Sequence, residues 1–209
     1  QVPHFNVLFS SLSAKIALYN SVKNEIATIS PGIGLLGADS DKSCIGSKKV
    51  QDFTTIPPID ELKKESLLHY CQKNKVRFIV PTRDGELPFW AEHQDFLISN
   101  QIGVMISSKS AIQICEDKYL FAKHLKKAPI PAIQTSLSST SLSSEYDHFV
   151  AKERTGTASS SIGINLRQDD LLAHSLKLKE PIFQPQIKGR EFSAETWIDK
   201  NNRCHGVVL

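Results

Sequence analysis

FVAKERTGTASSSIG, residues 149–163, reads as a strand that delivers Lys152 at its end, a loop of Gly156 and small hydroxyl residues, and a strand that returns from about Ile162. Small residues let a backbone fold over an anion, their N–H and O–H groups become donors, and the lysine adds a point charge. Taken alone, the pattern equally fits a polar hairpin with a solvated lysine. Two other segments bear on it. Glu116-Asp117-Lys118 opens a helix 34 positions upstream of Lys152. Downstream, PIFQPQIKGREFS (residues 181–193) runs a strand into a short link around Gln184, Gln186 and Ile187, with Glu191 following as the next strand begins. Read separately, these are a capped helix with an exposed lysine and an edge strand with a surface carboxylate.

The amino-terminal half alternates short apolar runs with amphipathic stretches. Strands are expected at residues 6–9 (NVLF), 33–37 (IGLLG), 52–57 (DFTTIP), 77–81 (RFIVP) and 102–106 (IGVMI). Helices are expected over 13–23, over 60–73 with Asp60 as cap, and over 87–99. Near-continuous apolar strands alternating with helices predict an α/β fold, Rossmann-like, with a parallel sheet covered on both faces. Ser108 and Asp117 head two further helices, the second with Leu120, Phe121 and Leu125 toward the core. In residues 135–144, eight of ten are Ser or Thr, which reads as a flexible solvated loop. The tail alternates like an antiparallel hairpin turning at 200–203. It stops on an apolar strand with no cap, so the sheet reads as unfinished.

The first βα turn, Ser10-Ser11-Leu12-Ser13, contains no glycine, which argues against a dinucleotide pyrophosphate there. A Walker A loop is absent. The composition of the 209 residues, 40% hydrophobic and 22% charged, excludes a disordered or disulfide-dense chain. Lys+Arg 25 against Asp+Glu 22 is too even to suggest a nucleic-acid partner. The four cysteines form no CxxC; Cys71 and Cys115 read as buried free thiols, and reduced thiols point to the cytoplasm. No apolar run has the length of a membrane span.

In order, an Asp-Lys helix start, a lysine before a Gly/Ser loop, and the segment from Gln184 to Glu191 resemble the ATP-grasp superfamily, and more narrowly the large subunit of carbamoyl-phosphate synthetase. The Rossmann-like half, with Gly37-Ala38-Asp39 closing its second strand, resembles a pre-ATP-grasp domain, and the segment from Pro81 to Glu86 (PTRDGE) resembles one common in these relatives. The resemblance implies a pre-ATP-grasp domain over 1–107 and a partial α+β ATP-grasp domain over 108–209. It implies ATP contacts from Lys118, Lys152 and the loop of Gly156, Ser159 and Ser160. Gln184 by its carbonyl and Gln186 by its amide, within the hinge Gln184–Ile187, would read the adenine, Phe183 or Ile187 would supply an apolar wall for the purine, and Glu191 would accept from the ribose hydroxyls. Glu153 departs from the family's proline and places negative charge near the phosphates.

Thr82, Asp84 and Glu86 are candidates for the acceptor site, where Asp84 and Glu86 could hold an amine, against a plainer role in capping their own loop. The implied activity uses ATP and Mg²⁺ to activate a carboxylate or bicarbonate, with the metal ligands expected beyond residue 209 and none within the chain. Without them the chain alone is expected to be inactive and is read as a fragment or truncated relative. Its partners would be ATP and a small-molecule carboxylate, with neither nucleic acid nor membrane, and a homodimer left open. The alternative is a nucleotide-binding or partner-binding module without catalysis.

Overall fold

The computed structural model describes residues 4–143, 145–156, 161–199 and 201–208. The chain forms two compact units, one of residues 1–124 with 155–158, the other of residues 125–154 with 159–209.

The first unit is built on a five-stranded parallel sheet in the order β3-β2-β1-β4-β5: β1 (Asn6–Phe9), β2 (Gly34–Asp39), β3 (Phe53–Thr55), β4 (Val76–Val80) and β5 (Gly103–Val104). The side-chain period of two decides which helix covers which face. Val7 and Phe9 point one way and pack with Tyr19 and Val22 of α1 (Ile16–Ile29). Leu8 points the other way, into a core with Leu67 and Cys71 of α2 (Lys64–Lys73) and Trp90 and Leu97 of α3 (Leu87–Ser99). Tyr19 is 1% exposed; its ring meets Phe9 edge-on at 5.6 Å and its hydroxyl donates to the Leu35 carbonyl at 2.7 Å. The expected Asp60 cap is not used. Glu61 donates its amide to the Pro58 carbonyl in a turn, Leu62 is buried, and α2 starts only at Lys64.

Two helices follow β5. Ser108 caps α4 (Lys109–Glu116) through the Ala111 amide at 3.3 Å. Asp117 then breaks the run and caps α5 (Lys118–Leu125), its Oδ1 accepting from the Tyr119 and Leu120 amides at 2.9 and 3.0 Å. On α5 Ala122 is buried, whereas Leu120 and Phe121 are exposed, contrary to the expected core face. α4 packs on α3, Lys109 pairs with Glu92, and the first compact unit runs through His124.

The second unit has a three-stranded antiparallel sheet, β7-β6-β8: β6 (Phe149–Glu153), β7 (Gly163–Leu166) and β8 (Pro181–Pro185). Phe149, Ala151 and Phe183 share one face, which packs on Leu171 of α6 (Gln168–Ser175) and on Leu178. The serine-rich segment is held rather than free. Ser136 exchanges both backbone hydrogen bonds with Phe183 at 2.9 Å, the Gln168 amide group reaches the Ser139 carbonyl, and Thr135 is buried. A two-stranded antiparallel sheet of β9 (Ala194–Ile198) and β10 (Cys204–Val208) completes the unit, its turn organised by Asp199, whose Oδ1 accepts from the Asn201 and Arg203 amides.

Candidate functional site

At the carboxyl ends of β1 and β4 the order of strands reverses, the place where open sheets of this kind receive ligands. The turn after β1 is held without glycine. Ser11 and Ser13 take left-handed φ values of 50° and 44°, and Asp39 secures the second by accepting the Ser13 amide at 2.7 Å. Lys15 Nζ donates to the Ser11 carbonyl at 2.8 Å.

Glu86 is 1% exposed, and one carboxylate oxygen accepts the Ser10 hydroxyl (2.9 Å) and the amides of Thr82 (2.9 Å) and Arg83 (3.0 Å). The Thr82 hydroxyl donates to the Ser10 carbonyl at 2.5 Å. These bonds tie the loop after β4 to the turn after β1. Thr82 and Glu86, candidates both for substrate and for capping their own loop, make the second kind of contact here, both side chains bonding the protein's own backbone. Asp84 is the exception. It lines a cleft of about 460 Å³ within the first unit together with Leu87, Cys115, Glu116, Lys118 and Gly156.

Lys118 Nζ donates to the Gly156 carbonyl at 2.9 Å. A lysine and a loop glycine 38 residues apart, both expected at phosphates, are thus in direct contact. Gly156 has φ +86°, in the left-handed region that only glycine enters freely, so the residue type fixes the loop's path at that contact. Ser159 and Ser160 lie outside the described residues. Cys115 is exposed in this cleft rather than buried as expected, because it sits on the last turn of α4. Cys71 is fully buried, and burial pushes its thiol up to about 12.

In the second unit the register pairs Lys152 with Ile182 and Val150 with Gln184, so these four side chains share the sheet face opposite α6. Lys152 and Gln184, expected at one ligand, are thus neighbours on one face. One step further, the Gln186 amide donates to the His148 carbonyl at 2.9 Å. Hydrogen-bonded pairs alternate along an antiparallel ladder, so Gln184 also turns its N–H and C=O toward β6. This corrects the expectation that the Gln184 carbonyl and the Gln186 amide face a purine.

On the open edge of β8 the outward groups belong to Phe183, Pro185 and Ile187. Those of Phe183 are bonded to Ser136, which leaves the Pro185 carbonyl and the Ile187 amide, a pair that only the register reveals. The side chains still contribute: Gln184 Nε2 donates to Thr135 Oγ1 at 2.8 Å, and the buried Gln186 Oε1 and His148 Nδ1 have no hydrogen-bond partner among the described residues. Ile187 and Glu191 are exposed on the link after β8. Glu153, expected to burden the phosphates, instead bonds the backbone: its two oxygens accept the Lys179 and Glu180 amides at 2.9 and 3.0 Å.

Among the described residues no group of three or more His, Cys, Asp or Glu side chains is placed to hold a metal ion, and no helix is long and apolar enough to cross a membrane.

Residues 115–207 match the ATP-grasp domain family. No curated protein sequence matches the chain. Among solved structures, the biotin carboxylase domain of 2-oxoglutarate carboxylase from Hydrogenobacter thermophilus, solved with MgADP, ADP and bicarbonate, is similar with a TM-score of 0.70 at 15% identity, over 98% of this chain and 49% of that one. An L-amino acid ligase from Bacillus licheniformis follows at 0.65 and 13%, over 97% and 49%. D-alanine–D-alanine ligase from Helicobacter pylori gives 0.57 and 13%, over 99% and 74%. The chain thus spans about half the length of the first of these structures, and what it shares with them is the fold of ATP-dependent carboxylases and ligases, with an ATP-grasp domain matched over residues 115–207.

Proposed function

We propose that the chain is the ATP-binding part of an ATP-grasp ligase related to the carbamoyl-phosphate synthetase large subunit, with residues 1–107 serving as a Rossmann-like pre-ATP-grasp domain. The observation that carries this reading is the 2.9 Å bond from Lys118 to the Gly156 carbonyl, which joins two elements expected at phosphates inside the region matched to ATP-grasp domains. A lysine carries three donors and can serve more than one acceptor.

In this reading Lys118 and Lys152 neutralise triphosphate charge and the Gly156 loop covers it. The Pro185 carbonyl and Ile187 amide meet the adenine edge, with Gln186 Oε1 as a further acceptor. Glu191 accepts from the ribose. The ligase chemistry transfers the γ-phosphoryl of ATP to a carboxylate or bicarbonate oxygen and releases ADP. An amine or ammonia nitrogen then attacks the activated carbon, expelling phosphate and losing a proton. The protein's share of this is positioning and charge stabilisation. The family's Mg²⁺ has no matching set of ligands among the described residues, and no step is assigned to it here.

The test is calorimetric titration of the chain with ATP, followed by ADP release with a panel of carboxylates in its longest natural form. Removing a charged hydrogen-bond partner of phosphate costs about 2 kcal/mol, so Lys118→Ala and Lys152→Ala should each weaken ATP binding roughly 30-fold. Unchanged ATP affinity in both variants would refute the site. ATP binding that depends on both lysines, without ADP release from any carboxylate, would instead assign the protein to non-catalytic nucleotide binding.

A further inference from the structure

A second cleft, of about 400 Å³, opens in the first unit at the amino ends of β1 and β4, the other end of the sheet from Lys118. His4, Lys75 and Arg77 are three basic residues of its lining, Gln72 and Asn100 two with amide side chains, and no Asp or Glu is among its described lining residues. Its floor is apolar, with Ile102 and the buried Cys71. Neither Lys75 nor Arg77 has an ion-pair partner among the described residues; the bond recorded for Arg77 is from Nη1 to Gln101 Oε1 at 3.2 Å.

A plainer explanation of these cations is available. α2 and α3 both end here, and helix carboxyl ends attract positive charge. Those ends are already closed by other groups. The Asn74 amide and side chain donate to the Tyr70 carbonyl, and the Lys75 amide to that of Gln72. The Asn100 side chain donates to Phe96, its amide and that of Ile102 to Leu97, and the Gln101 amide to Ile98. The Tyr70, Gln72, Phe96, Leu97 and Ile98 carbonyls thus already have amide donors, and the basic side chains add positive charge around a cavity with an apolar floor.

We propose that this cleft binds a small organic anion, a carboxylate or phosphate carried on an apolar body, at a site separate from the nucleotide site. The anionic head would lie among Lys75, Arg77 and His4, and the body against Ile102 and Cys71. The two head groups share this chemistry, and the probes tell them apart.

The experiment titrates the ¹⁵N-labelled chain with inorganic phosphate, phenyl phosphate and benzoate, followed by amide shifts and calorimetry. Phenyl phosphate should bind about tenfold more tightly than inorganic phosphate, reflecting burial of part of its ring. The shifts should centre on Lys75, Arg77 and Gln101. Benzoate binding as tightly as phenyl phosphate assigns the site to carboxylates; weaker benzoate binding assigns it to phosphates. The double variant Lys75→Asn with Arg77→Gln should lose about tenfold in affinity, and Lys118→Ala should lose none. Asn is chosen because Lys75 has φ +53°, which asparagine tolerates. Affinity in the unaltered chain should also fall with added salt. Shifts confined to Lys118 and Gly156, undiminished affinity in the double variant, salt-independent binding, or no saturable binding of any of the three probes would each overturn the proposal.

Discussion

Replacing Glu86 with alanine isolates the tie between the two loops at the head of the sheet. The side chain is 1% exposed, and one of its oxygens receives three donors. The Ser10 hydroxyl has a fallback acceptor, the Val80 carbonyl at 3.4 Å, and the Arg83 amide belongs to an exposed residue that water can reach. The Thr82 amide has neither relief, so leaving it unpaired costs about 1–3 kcal/mol. Loss of one buried methylene, Cγ, adds about 0.8 kcal/mol. The expected destabilisation is about 2–4 kcal/mol, a large share of the roughly 5–15 kcal/mol that holds a domain together. Glu86→Gln keeps the acceptor oxygen and the methylenes and should cost about 1–2 kcal/mol.

The assay is urea unfolding followed by fluorescence in a Trp197→Phe background. Trp90 is then the sole tryptophan, fully buried in the core beside Glu86's loop, and it reports the first unit alone. A lowered midpoint with unchanged slope reports lost stability. A Glu86→Ala midpoint within about 1 kcal/mol of the parent, or a Gln variant worse than the Ala variant, would refute the structural role and return Glu86 to the ligand candidates.

Cys71 links stability to alkaline pH. Its folded-state pKa stands near 12 against an ordinary 9.0, so the folded chain keeps a proton that the unfolded chain loses. Stability is full below pH 9 and falls as pH rises toward 12; in Cys71→Ala that part of the slope should vanish from melts across this range. Ser136→Pro removes the amide that bonds the Phe183 carbonyl and should cost about 1 kcal/mol, with faster amide exchange across residues 135–141 as the check. Gly156→Ala must hold a left-handed φ of 86°; it should weaken ATP binding while leaving the urea midpoint of the first unit within about 1 kcal/mol, measured by calorimetry and fluorescence.

The parallel sheet was legible because its strands are short apolar runs separated by strong punctuation. Pro57 and Pro58 end β3's region, and Leu87-Pro88 opens α3 where proline is tolerated. Lys118 and Gly156 were legible as residue types, while their contact was not, since no local pattern specifies a partner 38 positions away. The adenine groups were misread because hydrogen-bonding direction alternates along β8 and is set by its register with β6, which composition does not encode. The serine-rich segment was misread for a related reason: what immobilises it is the edge of β8, a partner distant in sequence. Glu153 read as charge near the phosphates, yet both of its oxygens accept amides from a distant segment, whereas Glu86 accepts the Thr82 and Arg83 amides of its own loop, the capping role its position already offered.

The β9–β10 ribbon carries a practical consequence. All five β9 residues are exposed, Trp197 and Ile198 by more than half, and each strand has a neighbour on one side only. Two strands alone make a marginal sheet, and an open apolar edge is a template for another strand. Dilution series therefore belong in every binding experiment on this chain, because intermolecular strand addition grows with concentration and would compete with any ligand for the same preparation.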